Sequence, residues 1–227
     1  MYSIKNLKLT IIFLCCFKIV AQNDFETLGE TSFAINHEIS QNYSMNIALR
    51  SRYYLHKNAE FTFEQRQIDV VHFSNFKLNY NNDLSFGIQY RNRDLFSDNS
   101  YELRITEQFN YNKKSPIGAR FGHRIRSEQR IFENETIFRQ RYRFAIDFPL
   151  NGEKLDIGEA YFVGALEGLL SLSKFSKPEI DQRTTAQIGW QISENLKLQT
   201  GLEYRFEAFN IKTQNLLFIL TSAVLRI

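Results

Sequence analysis

Apolar and polar side chains alternate along most of this chain, nowhere more strictly than from Ile117 to Phe148. On one face of the first half lie Ile117, Ala119, Phe121 and Ile125, with His123 as the exception; on the other lie Gly118, Arg120, Gly122, Arg124 and Arg126. The second half repeats the pattern, with Phe138, Tyr142, Phe144, Ile146 and Phe148 opposed to Arg139, Arg141, Arg143 and Asp147. Period-two alternation predicts strands, because successive side chains point to opposite faces. The polar tip from Ser127 to Thr136 makes the pair a hairpin. An arginine-rich face does not suit a soluble sandwich, whose inner face must be apolar. Either the arginines face water and the aromatics a core, or the aromatics face lipid and the arginines a lumen.

The same alternation recurs from Gln22 to Ile227. Tyr43, Met45, Ile47 and Leu49 oppose Ser44, Asn46, Arg50 and Arg52; Ile68, Val70, Phe76 and Leu78 lead to a turn at Asn81-Asn82-Asp83, and Leu84, Phe86, Ile88 and Tyr90 return. Phe61 and Phe63 are out of phase with Ile68, which predicts a bulge near Gln65. Tyr101, Leu103, Ile105 and Phe109 form another run before Lys113-Lys114-Ser115-Pro116. After Asn151-Gly152, a strong turn signal, come Leu155, Ile157, Tyr161 and Val163, then a less regular stretch from Gly168 to Glu179 that suggests a helical turn. Thr184 to Ile192, Leu196 to Phe206 and a last run ending at Ile227 complete the chain. Short turns near residues 41, 82, 114, 151 and 194 alternate with longer polar loops near 57, 97, 132, 174 and 210. Short turns at one end and longer loops at the other are the pattern of outer-membrane barrels. The expected fold is therefore an all-β, transmembrane antiparallel β-barrel of about 10–12 strands. Eleven runs are visible, whereas bacterial single-chain barrels usually have an even number. Either one strand is hidden near the phase break or one does not close, and ten or twelve are both open.

Composition fits this picture. Aromatic residues make up 15% of the 227 positions, with only 3 prolines, and the mildly negative mean hydropathy excludes a helical membrane bundle. The N-terminus differs. Lys5 and Lys8 precede an apolar run from Leu9 to Phe17, and Lys18-Ile19-Val20-Ala21 ends in a small residue. Residues 1–21 read as a secretory signal peptide and 22–227 as the barrel domain, since this run is far short of the roughly 20 residues a spanning helix needs. Both cysteines, Cys15 and Cys16, fall inside the signal, so no disulfide or thiolate metal site is expected in the mature chain. Removing Lys5, Lys8 and Lys18 lowers the 28 basic residues to 25, equal to the 25 acidic ones. The basic balance belongs to the targeting segment, and no nucleic-acid partner is expected.

The segments Arg124-Ile-Arg-Ser-Glu-Gln-Arg130, Arg139-Gln-Arg-Tyr-Arg143, Gln89-Tyr-Arg-Asn-Arg93 and Gly201-Leu-Glu-Tyr-Arg205 resemble the uncharacterised outer-membrane barrel family known as domain of unknown function 2490. The resemblance covers nearly the whole mature chain and implies the fold and the bacterial outer membrane, with no activity. The expected partners are then outer-membrane lipid and, during insertion, the barrel-assembly machinery.

Lumen-lining candidates are Arg120, Arg124, Arg126, Glu128, Arg139, Arg141, Arg143, Asp147, Glu203 and Arg205, with Arg50, Arg52, Arg91, Arg104, Arg183, Glu102, Asp156 and Glu207 on the same face. They fit either a lumen filled by Arg–carboxylate pairs or a narrow conduit for small anionic solutes. A barrel this narrow favours filling. The most catalytic-looking feature is His72-Phe73-Ser74-Asn75, which locally resembles outer-membrane phospholipases and lipid A deacylases. It departs from them at Phe76, where they carry glycine. If Tyr80 pairs with Leu84, Asn92 lies opposite His72, and Ser74, His72 and Asn92 supply nucleophile, base and orienter. The other histidines are too scattered for a metal site, and no nucleotide or other cofactor fingerprint occurs.

Overall fold

The computed structural model describes residues 25–94, 100–116 and 118–227. The expected signal peptide, residues 1–21, and Ile117 lie outside them. Among the described residues eleven strands follow one another: β1 (Phe25–Ser40), β2 (Tyr43–Lys57), β3 (Glu60–Lys77), β4 (Asn82–Arg93), β5 (Ser100–Lys114), β6 (Arg120–Ile131), β7 (Thr136–Pro149), β8 (Ala160–Leu172), β9 (Glu179–Gln191), β10 (Leu196–Glu207) and β11 (Gln214–Arg226). Each pairs with its sequence neighbour, and β1 pairs with β11 to close a barrel.

The count of eleven is real, and the expectation of an even number was the error. Consecutive hairpins reverse direction at every step, so the first and eleventh strands run the same way. Closure is accordingly parallel, from Phe25↔Asn215 to Asn36↔Arg226, whereas all other pairs are antiparallel. The same parity puts the start of β1 and the end of β11 at opposite ends, called here the N-terminal and C-terminal mouths. The shortest strands have 12 residues, a length of roughly 40 Å.

Three further expectations need correction. The connections do not sort into short turns and long loops: the loop after β2 is only Asn58-Ala59, while the turn after β7 runs from 150 to 159. Asn58 and Ala59 have φ of 53° and 64°, the double left-handed geometry of the tightest hairpins. The stretch from Gly168 is not a loop with a helical turn, because β8 continues to Leu172 and β9 begins at Glu179. Within β8 the faces are also inverted, with Tyr161 and Ala165 buried inside and Leu166 exposed outside. A polar break misread as a strand end concealed the true phase. By contrast, the bulge lies at Arg66, between the pairs Arg52↔Gln67 and Tyr53↔Gln65. It turns Phe63 outward, where its ring meets Tyr53 at 5.0 Å.

Glycine matters most where a ring lies across the sheet. A Cβ at Gly189 would fall 2.3 Å from the Tyr161 ring, and one at Gly87 would fall 2.3 Å from that of Phe73. Both rings point inward and lie flat over the neighbouring strand, which keeps bulky groups out of the narrow bore.

Candidate functional site

The interior is built from the polar half of each alternation. At its centre is Glu102 on β5, fully buried. Its carboxylate accepts from Arg93 at 2.8 Å, Arg104 at 2.6 Å and Arg130 at 2.8 Å, with Arg91 at 3.6 Å. Next to it, Asp69 on β3 takes a two-pronged contact from Arg91, at 2.7 and 2.8 Å. Glu128 on β6 binds Arg141 at 2.9 Å, Arg104 at 3.4 Å and Arg126 at 3.5 Å, and Arg141 extends to Glu167 at 2.6 Å. Arg139 donates to Ser171 at 2.7 Å and lies 3.8 Å from Asp181. Glu203 and Glu207 both meet Arg205, at 2.5 and 3.6 Å. Arg52 pairs with Glu30 at 2.5 Å. A guanidinium fork can serve two carboxylates at once, so the pairs join into a lattice across β3 to β8.

The gap in that lattice, at the closure seam, is filled by apolar groups. Leu28, Leu216 and Phe218 pack as a buried cluster. The Phe218 ring lies under the Arg205 guanidinium at 3.7 Å, a cation–π contact. The interior is thus not purely polar: apolar side chains fill it at β1 and β11, and Ala48, Val71 and Leu169 are buried on β2, β3 and β8. Near the seam β11 is apolar on both faces; alternation marks its outer set, ending at Ile227, and leaves the inner Leu216 and Phe218 unread.

Toward the C-terminal mouth the packing opens into a cavity of about 1030 Å³. Arg120 and Arg124 of β6 line it, and Arg126 does not, so its floor lies at the level of Arg124. Arg143, the cross-strand partner of Arg124, lines it as well. At the rim Arg120 pairs with Asp147 at 2.8 Å, and Arg226 pairs with Glu38. The interior therefore has two halves, a packed one and an open one.

All ten lumen candidates point into the barrel, but in different settings. Glu128, Arg126, Arg139, Arg141, Glu203 and Arg205 belong to the packed half, Arg120 and Asp147 to the rim, and Arg124 and Arg143 to the floor. Asp156 is displaced into the connection after β7. Sequence reasoning missed Glu30, Asp69, Arg93, Arg130, Glu167 and Asp181. Asp69, flanked by Ile68 and Val70, carried a usable signal in its alternation. Glu167 was hidden by the misread phase of β8.

On the outer face, Ser74 Oγ is 3.2 Å from His72 Nε2 and 3.2 Å from the Tyr43 hydroxyl. Asn92 does not join them. β3 pairs Phe76 with Leu84, which puts His72 opposite Ile88 and Asn92 opposite Ile68. The assumed pairing of Tyr80 with Leu84 fails because the chain already turns at Leu78, whose N–H bonds to Asn82 O. Four residues along a strand amount to about 13 Å, far beyond hydrogen-bond reach. The residues directly across from His72 are Ile47 and Ile88, and neither can orient an imidazole.

A family profile described as protein of unknown function (DUF2490) matches residues 31–215. No curated protein matches the chain. Among solved structures, the siderophore receptor PirA from Pseudomonas aeruginosa aligns over 76% of this chain at 11% identity and a TM-score of 0.32. The alignment spans 34% of that receptor's length.

Proposed function

We propose, for a chain that belongs to the DUF2490 family of proteins of unknown function, a non-enzymatic barrel of the bacterial outer membrane that spans the lipid without conducting. The reading rests on one observation: the barrel is apolar outside and charged inside. Ile47, Leu49, Val70, Ile88, Ile125 and Leu202 are each at least half exposed on the outer face. So large an apolar surface is an aggregation liability in water and costs nothing against lipid tails. Every strand but β1 and β11 is hydrogen-bonded on both edges by antiparallel neighbours, and those two satisfy their remaining edges by pairing with each other in parallel, as a bilayer demands of any spanning sheet. Export by residues 1–21 and insertion by the barrel-assembly machinery belong to the same proposal.

The interior supports a closed barrel over a conduit. A lattice of buried arginines and carboxylates, completed by Leu28, Leu216 and Phe218, occupies the N-terminal half. Purified protein in planar bilayers is expected to give no stepwise conductance at any applied voltage. Discrete anion-selective steps would reverse this and make the barrel a pore.

A second reading has the Ser74–His72 contact of 3.2 Å in its favour: an outer-membrane lipid esterase of phospholipase or lipid A deacylase type. Such a dyad needs a third group to hold the imidazole, and the β3–β4 register takes Asn92 away. Reconstituted protein is expected to release no fatty acid from phospholipid or lipid A beyond a Ser74→Ala control. Serine-dependent release would establish the enzyme.

A further inference from the structure

We propose that the floor of the C-terminal cavity is a binding site for the phosphate-type oxyanion of a small solute entering through that mouth. Arg124 and Arg143 are directly opposite each other in the β6–β7 ladder. Like charges so placed repel unless something neutralises them. At the neighbouring levels something does: Asp147 holds Arg120, and Glu128 bridges Arg126 and Arg141. At the floor, among the described residues, no carboxylate comes within 4.0 Å of either arginine. Arg124 donates to the Asn110 side-chain oxygen at 3.0 Å, which carries no charge. Glu167, the β8 partner of Arg143, turns its carboxylate to Arg141 at 2.6 Å. The field at Arg124 comes first from Arg143, which Glu167 offsets only in part, and then from Arg141 and from Arg50 on the far wall.

The floor thus has two guanidinium groups without a paired carboxylate, at the bottom of a cavity lined by polar side chains together with Ala145, Val163 and Val224. A recess of this kind focuses its field on entering anions. A doubly charged oxyanion can bridge two planar forks, each through paired N–H donors, in a way a single carboxylate or chloride cannot. At about 1030 Å³ the cavity is larger than a phosphate group requires and suits a whole small molecule carrying one. The site stands on the interior alone and does not depend on the barrel's being in a membrane or on its failure to conduct.

The test is calorimetric titration of the full barrel, refolded in detergent at low ionic strength, with inorganic phosphate and separately with glycerol 3-phosphate. One saturable site is expected per chain. Arg124→Gln and Arg143→Gln should each weaken it at least about tenfold, the loss of a charge-assisted contact, while Arg120→Gln at the rim should change it by less than about threefold. Tighter binding of the ester than of phosphate would identify a phosphorylated solute as occupant; equal binding would identify phosphate itself. Arg143→Lys preserves the charge and guards against misfolding of the glutamine variants; it should still weaken binding, because lysine cannot offer a fork. Absence of saturable heat with both anions, or unchanged affinity in folded Arg124→Gln and Arg143→Gln or in Arg143→Lys, overturns the proposal.

Discussion

Glu102→Gln is expected to lower the unfolding free energy of the barrel by about 3–5 kcal/mol, the range for removing one partner from a buried ion pair. The reason is geometric. Glu102 is fully buried and is the shared acceptor for arginines from β4, β5 and β6. Glutamine preserves the volume but turns one acceptor oxygen into a donor, which then faces a guanidinium. Arg93 and Arg130 have no other carboxylate within 4.0 Å among the described residues, so both lose their counter-ion, Arg130 while buried and Arg93 while a third exposed. Arg120→Gln is the appropriate contrast. That side chain is 58% exposed beside Asp147, and an exposed pair contributes at most about 1 kcal/mol. Urea unfolding of the two variants in the same detergent measures the difference. A Glu102→Gln midpoint equal to that of Arg120→Gln would show that the lattice is hydrated rather than packed.

Ile88→Arg should destabilise the barrel by about 2–4 kcal/mol when it is folded into lipid vesicles, the cost of a cation facing lipid near the bilayer midplane. Ile88 lies in the middle of β4, points outward and is 57% exposed. On a barrel in water, an arginine there would change stability by no more than about 0.5 kcal/mol, as most surface substitutions do. Phe61→Arg supplies the depth control. Phe61 is 94% exposed beside the β2–β3 hairpin, where an interfacial position costs only about 0–1 kcal/mol. Urea titrations of vesicle-folded protein should therefore rank Ile88→Arg well below Phe61→Arg. Equal effects from both would argue that the outer face does not meet lipid.

Faces and registers differed in how far the sequence could be read. Alternation exposed ten of the eleven strands in correct phase, because a strand with one apolar face writes its period into consecutive residues. It failed at β8, where Tyr161 and Val163 are apolar but inward; at β11 the phase was right, and only the inner Leu216 and Phe218, which fill the seam, went unread. In both places packing against a neighbouring strand outweighed the local pattern. The bulge was visible near Gln65 because it shifts the period by one residue, though its position at Arg66 needed the β2 pairing. The supposed triad had a similar weakness. His72 and Ser74 were placed on one face correctly from their spacing, but Asn92 depended on where the β3–β4 turn closes, and Leu78 closes it four residues earlier along the ladder.

For the arginine hairpin, the residues of the chain decided that Arg124, Arg126, Arg139, Arg141 and Arg143 share one face, opposite Ile125, Phe138 and Tyr142. Composition could say no more than that roughly equal numbers of acids and bases were available to meet. Which arginine meets which carboxylate was settled only when eleven strands closed on each other. Neutralisation acts between strands and depends on register, whereas alternation acts within one. Closure gave Glu128 to Arg141 and Arg126, and Asp147 to Arg120, and left Arg124 and Arg143 facing each other above the packed half of the bore.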